Sequence, residues 1–275
     1  TIPNTYYNTI FNSLKKLGYN HLGYNNFFEG FKPRFEAIID IEKPYYLLFK
    51  NIRKEFRTKI RAAERNGIQI YKGNASNLEY LYLQTQKKYP RDLDYFKDCY
   101  KYFSKNNKID FYYSKLNTEK YLKVCSANFE KQETICNSLN EKIMLNKDNS
   151  LINLKIENDK LLDKYKKELI RATKYLKNNP NGIVTSSILV VKNYDEVFLL
   201  MDGFDSKYKY LNSKHLLIWK LCEKYSKEGF KKFNLGGMTN INIKNNKYEG
   251  LNSFKLSFNS SCYEYIGDLE LICNN

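Results

Sequence analysis

The sequence predicts an α/β (α+β) fold, a mixed sheet with packed helices and an antiparallel helical hairpin inserted between strands. Three observations predict it. Short β-branched and aromatic runs alternate with stretches of helical period on either side of the middle of the chain. An amphipathic helix at 209–228 leads into a short strand, Phe233–Leu235, that ends in Gly236–Gly237, as in a layered sheet. Between two predicted hairpins, residues 129–178 lack Gly and Pro and keep a heptad spacing of apolar side chains.

Taken in order, residues 5–18 read as a helix, with Tyr6, Ile10, Phe11 and Leu14 on one face and Gly18 closing it. Pro33 precedes an apolar strand, Phe35–Ile41. Residues 52–66 form a helix stopped by Gly67, and the strand Ile68–Tyr71 follows. Asn77 starts a helix that breaks at Arg91–Asp94, and 94–104 is the next helix. Residues 108–114 and 119–128 are expected to pair as a hairpin around Asn117, and 183–192 with 196–202 around Asn193–Asp195. In between, Cys136, Leu139 and Ile143 are answered by Leu162, Tyr165, Leu169, Ala172 and Leu176, with Asn146–Ser150 as the turn. The outer positions are charged or Asn, so the pair is expected to project as an arm; ~20 residues per helix gives ~30 Å. Leu211, His215, Ile218, Trp219 and Cys222 mark the buried face of the helix 209–228, and the last strand covers Tyr263–Ile272.

Composition narrows the function classes. Of 275 residues, 46 are Lys or Arg and 30 Asp or Glu, a net charge of +16. This favours polyanionic partners, although an AT-rich genome produces the same excess of Lys, Asn, Ile and Tyr. The six cysteines form no CxxC pair and the two histidines, His21 and His215, stand apart, so no metal is expected. The thiols read as mostly reduced core residues of a cytosolic protein. No apolar run approaches the ~20 residues of a membrane span. No GxGxxG, Walker or GxSxG motif occurs, and no cofactor is expected.

Three features could carry chemistry. Arg53, Arg57, Arg61 and Arg65 recur every four residues and form a basic stripe, opposite the apolar stripe of Ile52, Phe56, Ile60 and Ala63. The stripe suits a phosphate backbone; equally, it is a solvated face with Glu55 and Glu64 as partners. In Pro90–Phe96, Arg91 lies in a helix break with Tyr95 one turn later, a grip for a diphosphate or carboxylate; alternatively, Asp94 is an N-cap with Arg91 its neighbour. Finally, Gly236–Gly237 allows close backbone approach by a ligand, and Lys255 stands among apolar residues in Phe254–Phe258.

With these motifs the chain resembles the Fem family of aminoacyl-tRNA-dependent peptidoglycan bridge enzymes, the FemA and FemX type. The resemblance runs in family order over nearly the whole chain: Phe31-Lys32-Pro33-Arg34 before its strand, the basic helix from Arg57 to Ile68, Arg91–Phe96, Asn234-Leu235-Gly236-Gly237, Gly250–Lys255 and Tyr265-Ile266-Gly267. It implies two acetyltransferase-like (GNAT-type) subdomains sharing a cleft. Residues 1–40, with 264–275 returning, would be the remnant of the first; 41–263 would be the second; 129–179 would be the inserted coiled-coil arm. The family's preceding segment, with a precursor-binding lysine and an acidic residue near the reacting amine, has no counterpart here. Leu200-Met201-Asp202-Gly203 stands where relatives often have Tyr-Ala-Gly.

The activity implied is transfer of an amino acid from aminoacyl-tRNA to the stem peptide of a muramyl-peptide precursor, lipid II or UDP-MurNAc-pentapeptide. The implied setting is the cytoplasm, with peripheral contact at the inner face of the membrane. By the resemblance, Lys255 matches the lysine of the reaction centre and Phe254 an aromatic stacking on the terminal adenine. Arg91 and Tyr95 match residues that hold the precursor. Gly236 and Gly237 join them as substrate-binding positions, and the arginine stripe as a tRNA contact. An acyl-CoA N-acetyltransferase would show a Gly/Arg-rich pyrophosphate loop, which is missing; a noncatalytic RNA-binding protein would use the stripe and arm and bind RNA with steep salt dependence but without transfer, and in a structural arm protein Lys255 would have no role.

Overall fold

The computed structural model describes residues 6–26, 33–87, 91–146, 148–241 and 248–273. Phe31 and Lys32 of the first motif, Pro90, and residues 242–247 of the loop after the paired glycines lie outside the described residues.

The chain opens with α1 (Tyr7–Lys16) and β1 (Asn20–Gly23), followed by β2 (Phe35–Asp40), α2 (Tyr45–Asn51), α3 (Lys54–Arg65) and β3 (Ile68–Gly73). Then come α4 (Leu78–Thr85), α5 (Leu93–Ser104), β4 (Ile109–Leu116), α6 (Thr118–Leu145) and α7 (Asn149–Asn178). The remainder is β5 (Ile183–Asn193), β6 (Glu196–Phe204), α8 (Ser213–Lys227), β7 (Lys232–Met238), α9 (Glu249–Leu256), β8 (Ser261–Glu264) and β9 (Asp268–Glu270). Seven strands form a mixed sheet in the order β3-β4-β5-β6-β7-β2-β8, and β1 pairs with β9 in a separate ribbon. Neighbours in the large sheet run antiparallel except β6 and β7, which are parallel and joined by α8. That crossover is the α/β unit read in the sequence.

Alternation along the strands divides the sheet into two apolar faces. On one, Ile188, Val190, Val197, Phe233 and Leu235 pack beneath α3 and α8, with Ile60, Leu217 and Tyr225 fully buried. On the other, Phe111, Leu189 and Met201 pack beneath α4 and α5, anchored by Leu78, Leu81 and Phe96. Cys125, Cys136, Cys222 and Cys262 are buried free thiols, Cys99 is half-buried and Cys273 is exposed.

The helical hairpin is present and longer than expected. Helix α6 has 28 residues and α7 has 30, so each spans ~42–45 Å. The antiparallel pairing is fixed near the sheet by Thr118 Oγ1 donating to Asn179 O at 2.8 Å, and further out by Gln132 Nε2 donating to Asn158 Oδ1 at 2.8 Å. Cys136, Leu139 and Ala172 of the expected seam are buried.

Four expectations about elements are corrected. Residues 119–128 are not a strand: Asn117 caps α6 by accepting from Lys120 N at 2.8 Å, and Tyr121 and Cys125 extend the buried seam toward the sheet. The 209–228 helix starts only at Ser213, after a 3₁₀ turn at Ser206–Leu211 and Asn212 at φ 55°. Lys255 stands on a helix, α9, where the sequence pattern predicts no helix between the Gly236–Gly237 strand and the last strand. The expected final strand is two, β8 on β2 and β9 on β1. They are separated by Gly267 at φ +89°, where a Cβ would stand 2.5 Å from Gly23 O.

Candidate active site

The site is built where β7 meets β2. Phe35, Ala37, Phe233 and Leu235 face the α3–α8 core, so alternation turns Glu36 and Asn234 to the opposite face. The pairing register slips there: Glu36 stands opposite Gly237 and Ile38 opposite Asn234, leaving Leu235 and Gly236 across from Ala37. This is a β-bulge with a glycine in the left-handed region, Gly236 at φ +77°. The expected strand end at Gly236–Gly237 is therefore a bulge within β7, which runs on to Met238.

Asn234 holds the bulge. Its Oδ1 accepts from Gly236 N at 2.8 Å, and its Nδ2 donates to Glu36 Oε2 at 2.7 Å and to Glu196 Oε1 at 2.9 Å. Tyr265 OH also donates to Glu36 Oε2, at 2.7 Å. Asn234 is 1% exposed and Glu36 8%, so these bonds replace solvation for two buried polar groups. Burial and the neighbouring Glu36 raise the Tyr265 hydroxyl well above the ordinary range, keeping it a donor.

Helix α9 supplies the cation. Asn252 fastens the helix to the end of β7, accepting from Thr239 N at 3.2 Å and donating to Thr239 Oγ1 at 2.8 Å. Phe254 turns into an aromatic cluster with Phe56, His215 and Phe258. Lys255 reaches the bulge and donates from Nζ to Gly237 O at 2.6 Å. Desolvation lowers its pKa from 10.5 to about 8, and Glu36 acts in the opposite sense. A half-desolvated ammonium against a glycine-lined backbone can stabilise developing negative charge.

The other expected residues fall elsewhere. Arg91 Nη1 donates to Tyr95 OH at 2.9 Å and the guanidinium lies 4.6 Å from the Tyr95 ring centre. The pair opens α5, whose N-cap is Asp92, accepting from Tyr95 N at 2.8 Å; Asp94 lies inside the first turn. Helix α5 packs on the Glu36 face of the sheet, but over β4, away from β7. The arginine stripe lies with α3 on the opposite face. Arg53 is the N-cap position rather than part of the helix, and its N–H donates to Ser257 O at 3.2 Å, just past α9. Arg57 donates to Lys50 O at 3.0 Å and Arg61 lies 5.2 Å from the Phe49 ring, so both are engaged by α2, which the sequence reading missed. Arg53 and Arg65 are exposed. Glu64 pairs with Lys220 at 3.2 Å.

Sequence reading also missed Glu36 and Glu196. Their signal was a carboxylate among the buried residues Phe35–Ile39, and one directly after a hairpin turn. Asp202, in the segment that departs from the family pattern, pairs with Lys214, whose ammonium lies 5.0 Å from the Phe254 ring. Among the described residues, no group of three His, Cys, Asp or Glu could hold a metal, and no helix is long and apolar enough to cross a membrane.

The chain is 24% identical to a lipid II:glycine glycyltransferase of Staphylococcus epidermidis, over 95% of its own length and 64% of that relative. It is 22% identical to an aminoacyltransferase FemA of Staphylococcus epidermidis, over 94% of its length and 64% of the relative. The chain thus spans just under two thirds of the curated relatives it matches. The crystal structure of FemX superposes with a TM-score of 0.71 at 18% identity, covering 94% of this chain and 67% of that one, and so shares the fold. The family description "FemAB family" matches residues 1–275, bulge, α9 and hairpin included, and the chain belongs to that family.

Proposed function

We propose that this chain carries the aminoacyl-transfer centre of an enzyme that moves an amino acid from aminoacyl-tRNA to the stem peptide of a muramyl-peptide precursor, lipid II or its soluble UDP-linked form. The observation that carries this reading is Lys255, a cation held on the Gly236–Gly237 bulge in a chain of the FemAB family. A stem-peptide amine attacks the ester carbonyl of the aminoacyl-tRNA, and the tetrahedral oxyanion forms beside Lys255. The C–O ester bond then breaks, and the 3′-terminal ribose leaves with the proton given up by the amine. Removing such a donor typically costs about 10²–10³ in rate.

In this reading Arg91 and Tyr95 take the phosphates of the precursor, and Gly236 and Gly237 admit the substrate close to the backbone. Phe254 forms an apolar wall for the terminal adenine. Arg53, Arg61 and Arg65, which are exposed, and the half-buried Arg57 supply positive charge along the path of the tRNA. In this reading residues 1–40 and 264–275 belong to a first GNAT-like subdomain, with β2 reaching from it into the seven-stranded sheet between β7 and β8; 41–263 is the second subdomain and the 129–179 hairpin a coiled-coil arm. The enzyme works in the cytoplasm at the inner face of the membrane when its acceptor is lipid-linked.

The test is transfer of radiolabelled amino acids from a pool of charged tRNA onto lipid II and onto UDP-MurNAc-pentapeptide. It is run with this chain alone and within a longer chain of the relatives' length. Label on one acceptor establishes the reaction and identifies both substrates; no label with either chain, despite intact folding, rejects it.

A further inference from the structure

Behind the bulge, Asn234, Tyr265 and the carboxylates of Glu36 and Glu196 form a network to which the transfer reaction assigns no role. Glu36 is the charge at its centre. It stands on a strand whose other inward positions are apolar, it is 8% exposed, and one of its oxygens takes two hydrogen bonds, from Asn234 and Tyr265. A buried carboxylate is costly unless hydrogen bonds or a cation offset it, and here two neutral donors are oriented on one oxygen while the ammonium of Lys255 is held at the neighbouring Gly237 O. Through Asn234 the same carboxylate is tied to Gly236 N, and so to the turn whose next carbonyl receives Lys255.

We propose that Glu36, oriented by Asn234 and Tyr265, is a positioning residue that acts on the reaction through Lys255, by holding its ammonium at the bulge and supplying the compensating charge. The proposal rests on the transferase reading for its catalytic consequence, but not for its physical content. Among the described residues, the titratable groups that hydrogen bonds join to the bulge are Glu36 on β2 and Glu196 on β6, both through the Asn234 amide, and the Tyr265 phenol after β8, through Glu36; Lys214 of α8, paired with Asp202 of β6, lies 5.0 Å from the ring of Phe254 beside Lys255. Of these, Glu36 is the charge that counters the desolvation of Lys255.

The two roles Glu36 could play move Lys255 in opposite directions. Removing a compensating anion makes the ammonium easier to deprotonate. Removing a merely structural side chain loosens the bulge, lets water reach Nζ and returns it toward the ordinary range. The experiment labels the lysines of the whole chain with ¹³C and ¹⁵N, assigns the Lys255 signal by its loss in Lys255→Arg, and titrates it by NMR in the wild type and in Glu36→Gln. The expected result is a midpoint lower by about one pH unit in Glu36→Gln. Glu36→Asp, which keeps the charge but draws it back by one methylene, is expected to give a smaller shift in the same direction, and decides the matter if the glutamine variant does not fold. A midpoint that is unchanged or raised overturns the proposal. In the transfer assay, the pH at which activity falls on the alkaline side is expected to move down with the midpoint. An NMR shift without any transfer by the wild type contradicts the function reading alone, whereas transfer whose pH limit ignores Glu36→Gln contradicts the catalytic role assigned here.

Discussion

At the scale of single residues, burial sets the chemistry of two groups. Lys255 is depressed to about 8, so between that pH and 10.5 the unfolded chain binds a proton that the folded chain has lost. Its contribution to stability therefore rises with pH across that window. The melting temperature of the wild type, compared with Lys255→Met, is expected to gain on the variant as pH climbs through it. His215 follows the same rule at lower pH. It is pushed down to about 4 by burial, with Lys59 and Lys214 nearby. Below pH 6.5 the unfolded chain takes up a proton that the folded chain refuses until about 4, so stability is lost as pH falls through this interval. His215→Phe is expected to flatten that loss in thermal melts at graded pH. Of the site, Lys255 and the paired glycines were legible because a lysine among apolar residues and Gly-Gly after a strand are local signals. Glu36 was not, because it differs from a solvent-facing strand carboxylate only through Asn234 and Tyr265, which lie 198 and 229 residues away in sequence.

At the scale of elements, the arm shows how a periodic pattern is recognised and where it is lost. The spacing of Leu162, Tyr165, Leu169, Ala172 and Leu176 gave α7 directly, because they recur at the interval a helical seam requires. The first turns of α6 resemble a strand in sequence because Tyr121 and Val124 are residues that strands favour. The packing of Tyr121 and Cys125 in the same core as Ala172 overrides that preference. Within the seam, Gln132 is 4% exposed and its amide bridges to Asn158, fixing the register of the two helices. Gln132→Ala is expected to destabilise the arm by about 1–3 kcal/mol, read as faster amide exchange along α6 and α7. The short elements α2 and α9 were missed for a different reason. Each is 7 or 8 residues long, too short for a helical period to emerge, and each is held by tertiary contacts such as Phe49 against Trp219 and Asn252 against Thr239.

At the scale of the whole molecule, charge and topology meet. The net charge of +16 is spread over the chain; along the arginine stripe Arg57 is half-buried and Arg61, though exposed, lies 5.2 Å from the Phe49 ring, with Arg53 and Arg65 exposed at the two ends. Replacing both by Gln is expected to weaken tRNA binding and to reduce the slope of log affinity against log salt by about one for each phosphate left without its arginine; an unchanged slope removes them from the tRNA path. The order of the sheet brings the strand at residue 35 between those at 232 and 261, so the site is assembled from the two ends of the described chain, with the arm emerging far from it along the sheet. That arrangement makes the lysine of α9 the point on which the functional account turns. The most direct measurement is single-turnover transfer from charged tRNA by wild type and Lys255→Ala, with tRNA affinity and thermal melting followed on the same samples. The account predicts a rate lower by about 10²–10³ with folding intact. An unchanged rate in a folded variant would contradict it.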